Sequence, residues 1–357
     1  MSPADTTLGE LTKRQLRNLC DVMGIDNAAP PELLEELLGP VSSRSLSEPP
    51  LWPSGVADDA TPLEFSVQFE DNGARHLRIH LERLAERPSP AANLQAAKDL
   101  VASLSDRYDL ALDRLRAVQD VFTADEPQSW FSWAFSLIFD AQGAPSFKLY
   151  FNTDLHGAEA APRVVTDAFG RLGMTGAAEL VNTYALRREG KDLPTFFAID
   201  LDRSAHARVK LYFRQLDARP ADAEFAAGAV PGIDQNAIRE FCSVLAPGTE
   251  VFGGRPLMSS YSFVGGDAEK PSNYSLYLPI RDYVPHDGVA RERIAEHLRR
   301  LRFDPAALDG SIRALTDRPL EAQSGLLAHV SLRLSPNRTG TSLYLSSEAY
   351  GGTPVQD

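Results

Sequence analysis

The chain has 357 residues, 43% hydrophobic and 24% charged, with a formal net charge of −13. That composition supplies ample apolar material for one large or two ordinary domains, and its acidic balance argues against broad nucleic-acid binding, which needs basic surface. Cys20 and Cys242 are far apart and read as free thiols in a reducing compartment; with no apolar run of membrane-spanning length and no basic-plus-apolar leader, a cytoplasmic protein is expected.

In chain order, residues 11–23 and 31–38 carry helical periodicity. Residues 43–60 are rich in Ser and Pro and read as a linker or covering loop. Residues 1–60 are expected to belong to one domain with a barrel over 61–350, leaving 351–357 as a tail. Five hairpins are predicted next. Their first strands are 63–70, 129–140, 195–201, 258–264 and 328–335, each followed by a turn-rich connection such as Asp71-Asn72-Gly73 or Pro336-Asn337-Arg338-Thr339-Gly340. Between them lie helical patterns over 91–104, 110–122, 159–172, 177–186, 233–245, 290–301 and 304–315.

The second strand of each hairpin repeats one phrase. Lys148-Leu149-Tyr150-Phe151 returns as Lys210-Leu211-Tyr212-Phe213, Ser275-Leu276-Tyr277-Leu278 and Ser342-Leu343-Tyr344-Leu345, with a weaker early copy in Arg78-Ile79-His80-Leu81. The steps of 70, 62, 65 and 67 residues mark an internal repeat. Strand side chains alternate between two faces, so every copy puts aliphatic or Phe side chains on one face and cations or phenols on the other. Helices need the apolar face. The fold expected is therefore α+β: a ten-stranded antiparallel barrel inside a coat of helices, with a polar, solvent-filled lumen.

Arg208, Lys210 and Tyr212 share the polar face of one strand; Lys148 and Tyr150, Arg78, and Arg333 extend it on others. Buried cations are costly without partners, and an anionic ligand such as a phosphate ester supplies one. Tyr donates to phosphate and offers a π-face to a cation. A site with both properties suits an allylic diphosphate. Glu64 is read as the one acid in a matching inward register, as counter-charge or as acceptor of an N–H or O–H from an aromatic substrate. Trp133, Phe135 and Leu137 fall on the apolar face; Trp130 has the opposite parity, at the cavity mouth. The seven His lack metal-ligand spacing, Asp58-Asp59 lacks the third Asp of a magnesium motif, and no serine nucleophile elbow is present. A noncatalytic carrier of an anionic small molecule is the alternative outside enzymes.

The stretches Thr61-Pro62-Leu63-Glu64-Phe65-Ser66, 147–151, Ala198-Ile199-Asp200-Leu201 with 207–213, and Leu276-Tyr277-Leu278-Pro279-Ile280-Arg281-Asp282-Tyr283 resemble the dimethylallyltryptophan synthase-type aromatic prenyltransferases, bacterial branch, over about 62–350. The resemblance implies the αββα barrel and transfer of a dimethylallyl group from dimethylallyl diphosphate to an indole, without an essential metal or other cofactor. A phenol or naphthol acceptor is the alternative within this barrel type. It implies that Glu64 accepts the indole N–H, that Arg78, Lys148, Arg208 and Lys210 hold diphosphate, and that Tyr150, Tyr212 and Tyr277 shield the allyl cation. Arg333 is added to the diphosphate set and His329 to the acceptor site, although the family's fungal members often carry Tyr at both positions.

Overall fold

The computed structural model describes residues 6–351 apart from 72, 74, 125–130, 132 and 266–268. Trp130, and the tail after Gly351, lie outside the described residues. The chain opens with α1 (Leu8–Met23) and α2 (Pro30–Leu38). Thr7 caps α1 through a reciprocal capping box with Glu10, which satisfies two otherwise unpaired N–H groups. The loop after α2 leads into hairpin β1 (Leu63–Glu70) and β2 (Arg75–Leu81). Then follow α3 (Pro90–Tyr108), α4 (Asp113–Val118), β3 (Trp133–Phe139) and β4 (Pro145–Asn152). The next unit is α5 (Ala161–Arg171), α6 (Thr175–Tyr184), β5 (Asp192–Asp200) and β6 (Arg208–Gln215). After these come α7 (Pro220–Ala227), α8 (Asn236–Leu245), β7 (Leu257–Val264) and β8 (Asn273–Leu278). The last unit is α9 (Asp287–Arg300), α10 (Ala306–Leu315), β9 (Leu327–Ser335) and β10 (Arg338–Ser346).

The ten strands close into one antiparallel barrel in which β1 pairs with both β2 and β10. Two differences from the sequence reading have local causes. Helix α7 has no amphipathic stripe, because it is short and Ala-rich, and its Pro220 start reads as a turn. The pattern over 110–122 forms only the six residues of α4, with Val121 and Phe122 continuing as a turn into the core.

Alternation places two separate apolar clusters. Phe65, Val67, Ile79, Phe135, Leu149, Phe197, Leu211, Leu276 and Leu343 join the large core between barrel and helices. Tyr150, Tyr212 and Tyr277 join Phe131, Ala134 and Ala198 in a smaller cluster inside the barrel, with Phe196, Met258 and Tyr344 against it. Trp133, Phe135 and Leu137 lie in the outer core. The helical pair at the N-terminus rests on the same shell: Gln15 Nε2 donates to the carbonyls of Leu315 and Ser347 at 3.1 and 2.9 Å. Gly143, with φ 74°, turns β3 into β4 where any Cβ would meet the Asp26 carbonyl.

Candidate active site

Odd-numbered strands run toward the end of the barrel where the hairpins turn, and even-numbered strands return to the end where the helices attach. Register sets inward residues side by side: Glu64 opposite His80, Ser66 opposite Arg78, Ser136 opposite Lys148, Lys148 opposite Asp200, and Ala198 opposite Lys210. Tyr212 faces Ser260, Ser275 faces Arg333, and Tyr344 faces His329. The five expected cations, three expected tyrosines, Glu64 and His329 thus share one lumen.

At the turn end a cavity of about 400 Å³ is lined by residues including Gln68, Glu70, Arg78, Asp200, Arg208 and Arg333. Here the reading of Glu64 as the one inward acid needs correction. Asp200 ion-pairs with Lys148 at 3.1 Å and Arg208 at 2.7 Å, and Glu70 pairs with Arg333. Both acids have the inward parity; Glu70 is three inward steps along β1 from Glu64, and Asp200 ends β5 two residues after inward Ala198. Gly340 faces Arg333 across the β9–β10 pair, and its missing side chain leaves room for that guanidinium.

Lys148 and Lys210 are only 2% and 6% exposed. Burial pushes Lys148 down to about 7, with repulsion from Arg208 and Arg78 outweighing help from Asp200. Lys210 is held well below the ordinary lysine value by burial and then by Lys148, Arg208, Arg78 and Arg333. Its Nζ reaches the Tyr277 hydroxyl at 3.5 Å and sits 4.7 Å from the centre of the Tyr212 ring. Burial alone would raise the carboxyl of Asp200, but Lys148 and Arg208 together hold it below the usual range. This section of lumen carries more positive than negative groups and is preorganised for a polyanion.

Next toward the helix end comes a ladder of phenols. Ring centres of Tyr150 and Tyr212 are 5.5 Å apart, Tyr212 and Tyr277 5.8 Å, and Tyr277 and Tyr344 5.9 Å. The hydroxyls of Tyr150 and Tyr212 are 3.2 Å apart. Tyr344, on the fourth full copy of the repeat, completes the row. His80 packs edge-on to Tyr150 at 4.8 Å. Ring faces set side by side stabilise a cation without offering it a strong nucleophile.

Glu64 stands beyond this ladder, 8% exposed, with His329 Nδ1 4.0 Å from its Oε1. Burial, and then the negative charge of Asp58, push its carboxyl up to about 8, while Arg255 opposes. Burial and then Arg255 push His329 down to about 3, so its imidazole is neutral. Asp58 and Arg255 come from the covering loop and the approach to β7, and no sequence pattern joins them. Among the described residues, no group of three His, Cys, Asp or Glu side chains is placed to hold a metal ion. Among the same residues, no helix is long and apolar enough to cross a membrane. Cys20 and Cys242 are free and buried.

Comparison with known proteins gives this geometry its relatives. Residues 32–309 match the tryptophan dimethylallyltransferase family. The structure is similar to 6-dimethylallyltryptophan synthase from Micromonospora olivasterospora in complex with DMASPP and Trp, at 44% identity and a TM-score of 0.93, covering 98% of this chain and 99% of that one. It is also similar to the prenyltransferase PriB in a ternary complex with L-tryptophan and dimethylallyl thiolodiphosphate, at 35% identity and a TM-score of 0.88, covering 98% of each chain. A third, 5-dimethylallyltryptophan synthase from Streptomyces coelicolor, shares 32% identity and a TM-score of 0.90, over 97% of this chain and 99% of that one. With full-length similarity and a barrel of the same plan, the chain belongs to the tryptophan dimethylallyltransferase family.

Proposed function

We propose that the protein transfers a dimethylallyl group from dimethylallyl diphosphate to the indole ring of tryptophan or a tryptophan-derived acceptor. The observation that carries this reading is the order of groups along the lumen: buried cations, then stacked phenols, then one carboxylate. The carbon–oxygen bond of the donor breaks with its electron pair leaving on diphosphate. Arg78, Lys148, Arg208, Lys210 and Arg333 take up that charge, and Lys148 and Arg208 trade Asp200 for phosphate oxygens as they do so. Tyr150, Tyr212 and Tyr277 surround the allyl cation and keep water from it. Glu64 accepts the indole N–H, which raises the electron density of the ring; ring π-electrons form the new bond, and the displaced ring proton leaves to a base. With His329 neutral, the carboxylate is the stronger acceptor at this end.

The cations supply the charge neutralisation that magnesium gives Asp-rich prenyl enzymes, so the reaction is proposed to need no metal. Two free thiols fit a reducing, cytoplasmic setting. A carrier would need the cations but not the phenol ladder, and a phenol acceptor would not need Glu64. Purified protein incubated with dimethylallyl diphosphate and a panel of indoles and phenols should give indole products heavier by C5H8 in mass spectrometry. Donor binding without any product would overturn the assignment in favour of a carrier.

A further inference from the structure

We propose that His80 is the base that takes the displaced ring proton; this deepens the indole-prenylation reading above and rests on it. In the four full copies of the repeated strand phrase the second inward place is a tyrosine: Tyr150, Tyr212, Tyr277 and Tyr344. The copy on β2 puts His80 there. The five even-numbered strands therefore carry a belt of five rings, four phenols and one imidazole. The imidazole stands edge-on to Tyr150 at 4.8 Å. In register His80 lies directly opposite Glu64 on β1, and residues so placed on one sheet face are nearest cross-strand neighbours. It thus occupies the wall between the carboxylate that takes the indole N–H and the phenols that enclose the allyl cation, where the new bond forms. Ile79 and Leu81 on the outward face are fully buried, whereas His80 keeps partial exposure, which is to the lumen.

Burial and then Arg78 push His80 down to about 4, so it is a neutral imidazole with one nitrogen lone pair to offer. The phenols of the belt offer no comparable base: burial raises Tyr150, Tyr212 and Tyr344, which keep their protons. The other groups are engaged. Glu64 holds the indole N–H in this reading, His329 lies beside Glu64 at 4.0 Å, and Asp200 is paired with Lys148 and Arg208 at the donor end. Glu82, two residues beyond His80, is 2% exposed and takes the Ser54 hydroxyl at 2.8 Å. Attack of the ring π-electrons on the allyl cation leaves a C–H bond on a positively charged ring. That proton forms an N–H bond on His80, and the C–H electron pair returns to the ring and restores aromaticity. The resulting imidazolium is disfavoured beside Arg78, so the proton passes on to the departing diphosphate and the neutral base is regenerated. A fifth tyrosine at position 80 would shield the cation equally well but leave the charged ring free to revert.

The test is transfer to L-tryptophan deuterated at every indole ring carbon, against unlabelled L-tryptophan, in wild type, His80→Tyr and His80→Ala. A base in place removes the proton faster than the steps before it, so wild type should show no primary isotope effect. Both variants should lose about 10²-fold in kcat and gain a primary isotope effect, because proton loss becomes the slow step. Calorimetric binding of dimethylallyl thiolodiphosphate should stay close to that of wild type, since neither change touches the cations of the donor end. Slow variants without an isotope effect would overturn the proposal and leave His80 as packing for Tyr150. Wild-type rates in His80→Tyr, or loss of donor binding in both variants, would overturn it as well. A wild type that prenylates no indole would instead reject the function on which the proposal rests.

Discussion

Replacing Glu64 with Gln should slow the enzyme and stabilise it. The amide keeps size and polarity but cannot carry negative charge. If the carboxylate balances the positive charge of the transition state, kcat should fall by about 10²-fold or more. Stability follows from the position of the group. Glu64 binds its proton up to about 8 in the fold, against an ordinary value of 4.5. Its contribution to stability is therefore fully present below 4.5 and is lost as pH rises through about 8, because the unfolded chain releases the proton first. At about 1.4 kcal/mol per pH unit, that interval gives an upper bound of about 5 kcal/mol. Glu64→Gln does not titrate, so its urea midpoint should match wild type near pH 4.5 and exceed it increasingly up to pH 8. Wild-type kcat/KM for the acceptor should rise with pH through about 8, as the acceptor form appears, and the variant should lack this limb. Wild-type transfer rates in Glu64→Gln would refute the role of the carboxylate. A pH-independent difference in urea midpoint would refute the account of its burial.

Lys210→Ala should weaken diphosphate inhibition and turnover by one to two decades, as expected for loss of one charge-assisted contact of about 1.5–3 kcal/mol; wild-type kinetics would show that this lysine does not meet the donor. Activity should persist in excess EDTA, and complete loss restored by magnesium would contradict the proposed metal independence. Because Lys148 is held near 7 and Lys210 also lies low, diphosphate binding at pH 8 should take up on the order of one proton. Calorimetry in buffers of different ionisation enthalpy would then give different heats, and identical heats would show that both lysines are already charged.

Much of this architecture was legible because one physical rule, strand alternation, was written five times. A single strand bearing Lys210 and Tyr212 is ambiguous, since a half-solvated sheet shows the same pattern. Agreement of parity among Arg78, Lys148, Lys210, Tyr277 and Tyr344 identifies an interior. The acids were harder to see. Asp200 ends its strand next to turn residues, where an Asp reads as turn chemistry, and only the pairing of β4 with β5 brings it to Lys148. Asp58 and Arg255 meet across most of the sequence, and neither lies in a strand. Tertiary ion pairs of this kind leave no local period to read.

Closure of the barrel by β1 against β10 makes the lumen a property of nearly the whole chain. Glu64 acquires its neighbour Ser346 only when almost every other residue has been synthesised. Until then Lys148, Lys210 and Arg78 have no enclosed environment, and their charges remain hydrated. The proposed donor site, which draws on β2, β4, β6 and the late strand β9, therefore cannot be a folding intermediate that waits for the acceptor end. Both ends arise in the same late step, which has high contact order and is correspondingly slow. Refolding followed by donor binding and by tyrosine fluorescence should show the two signals rising together.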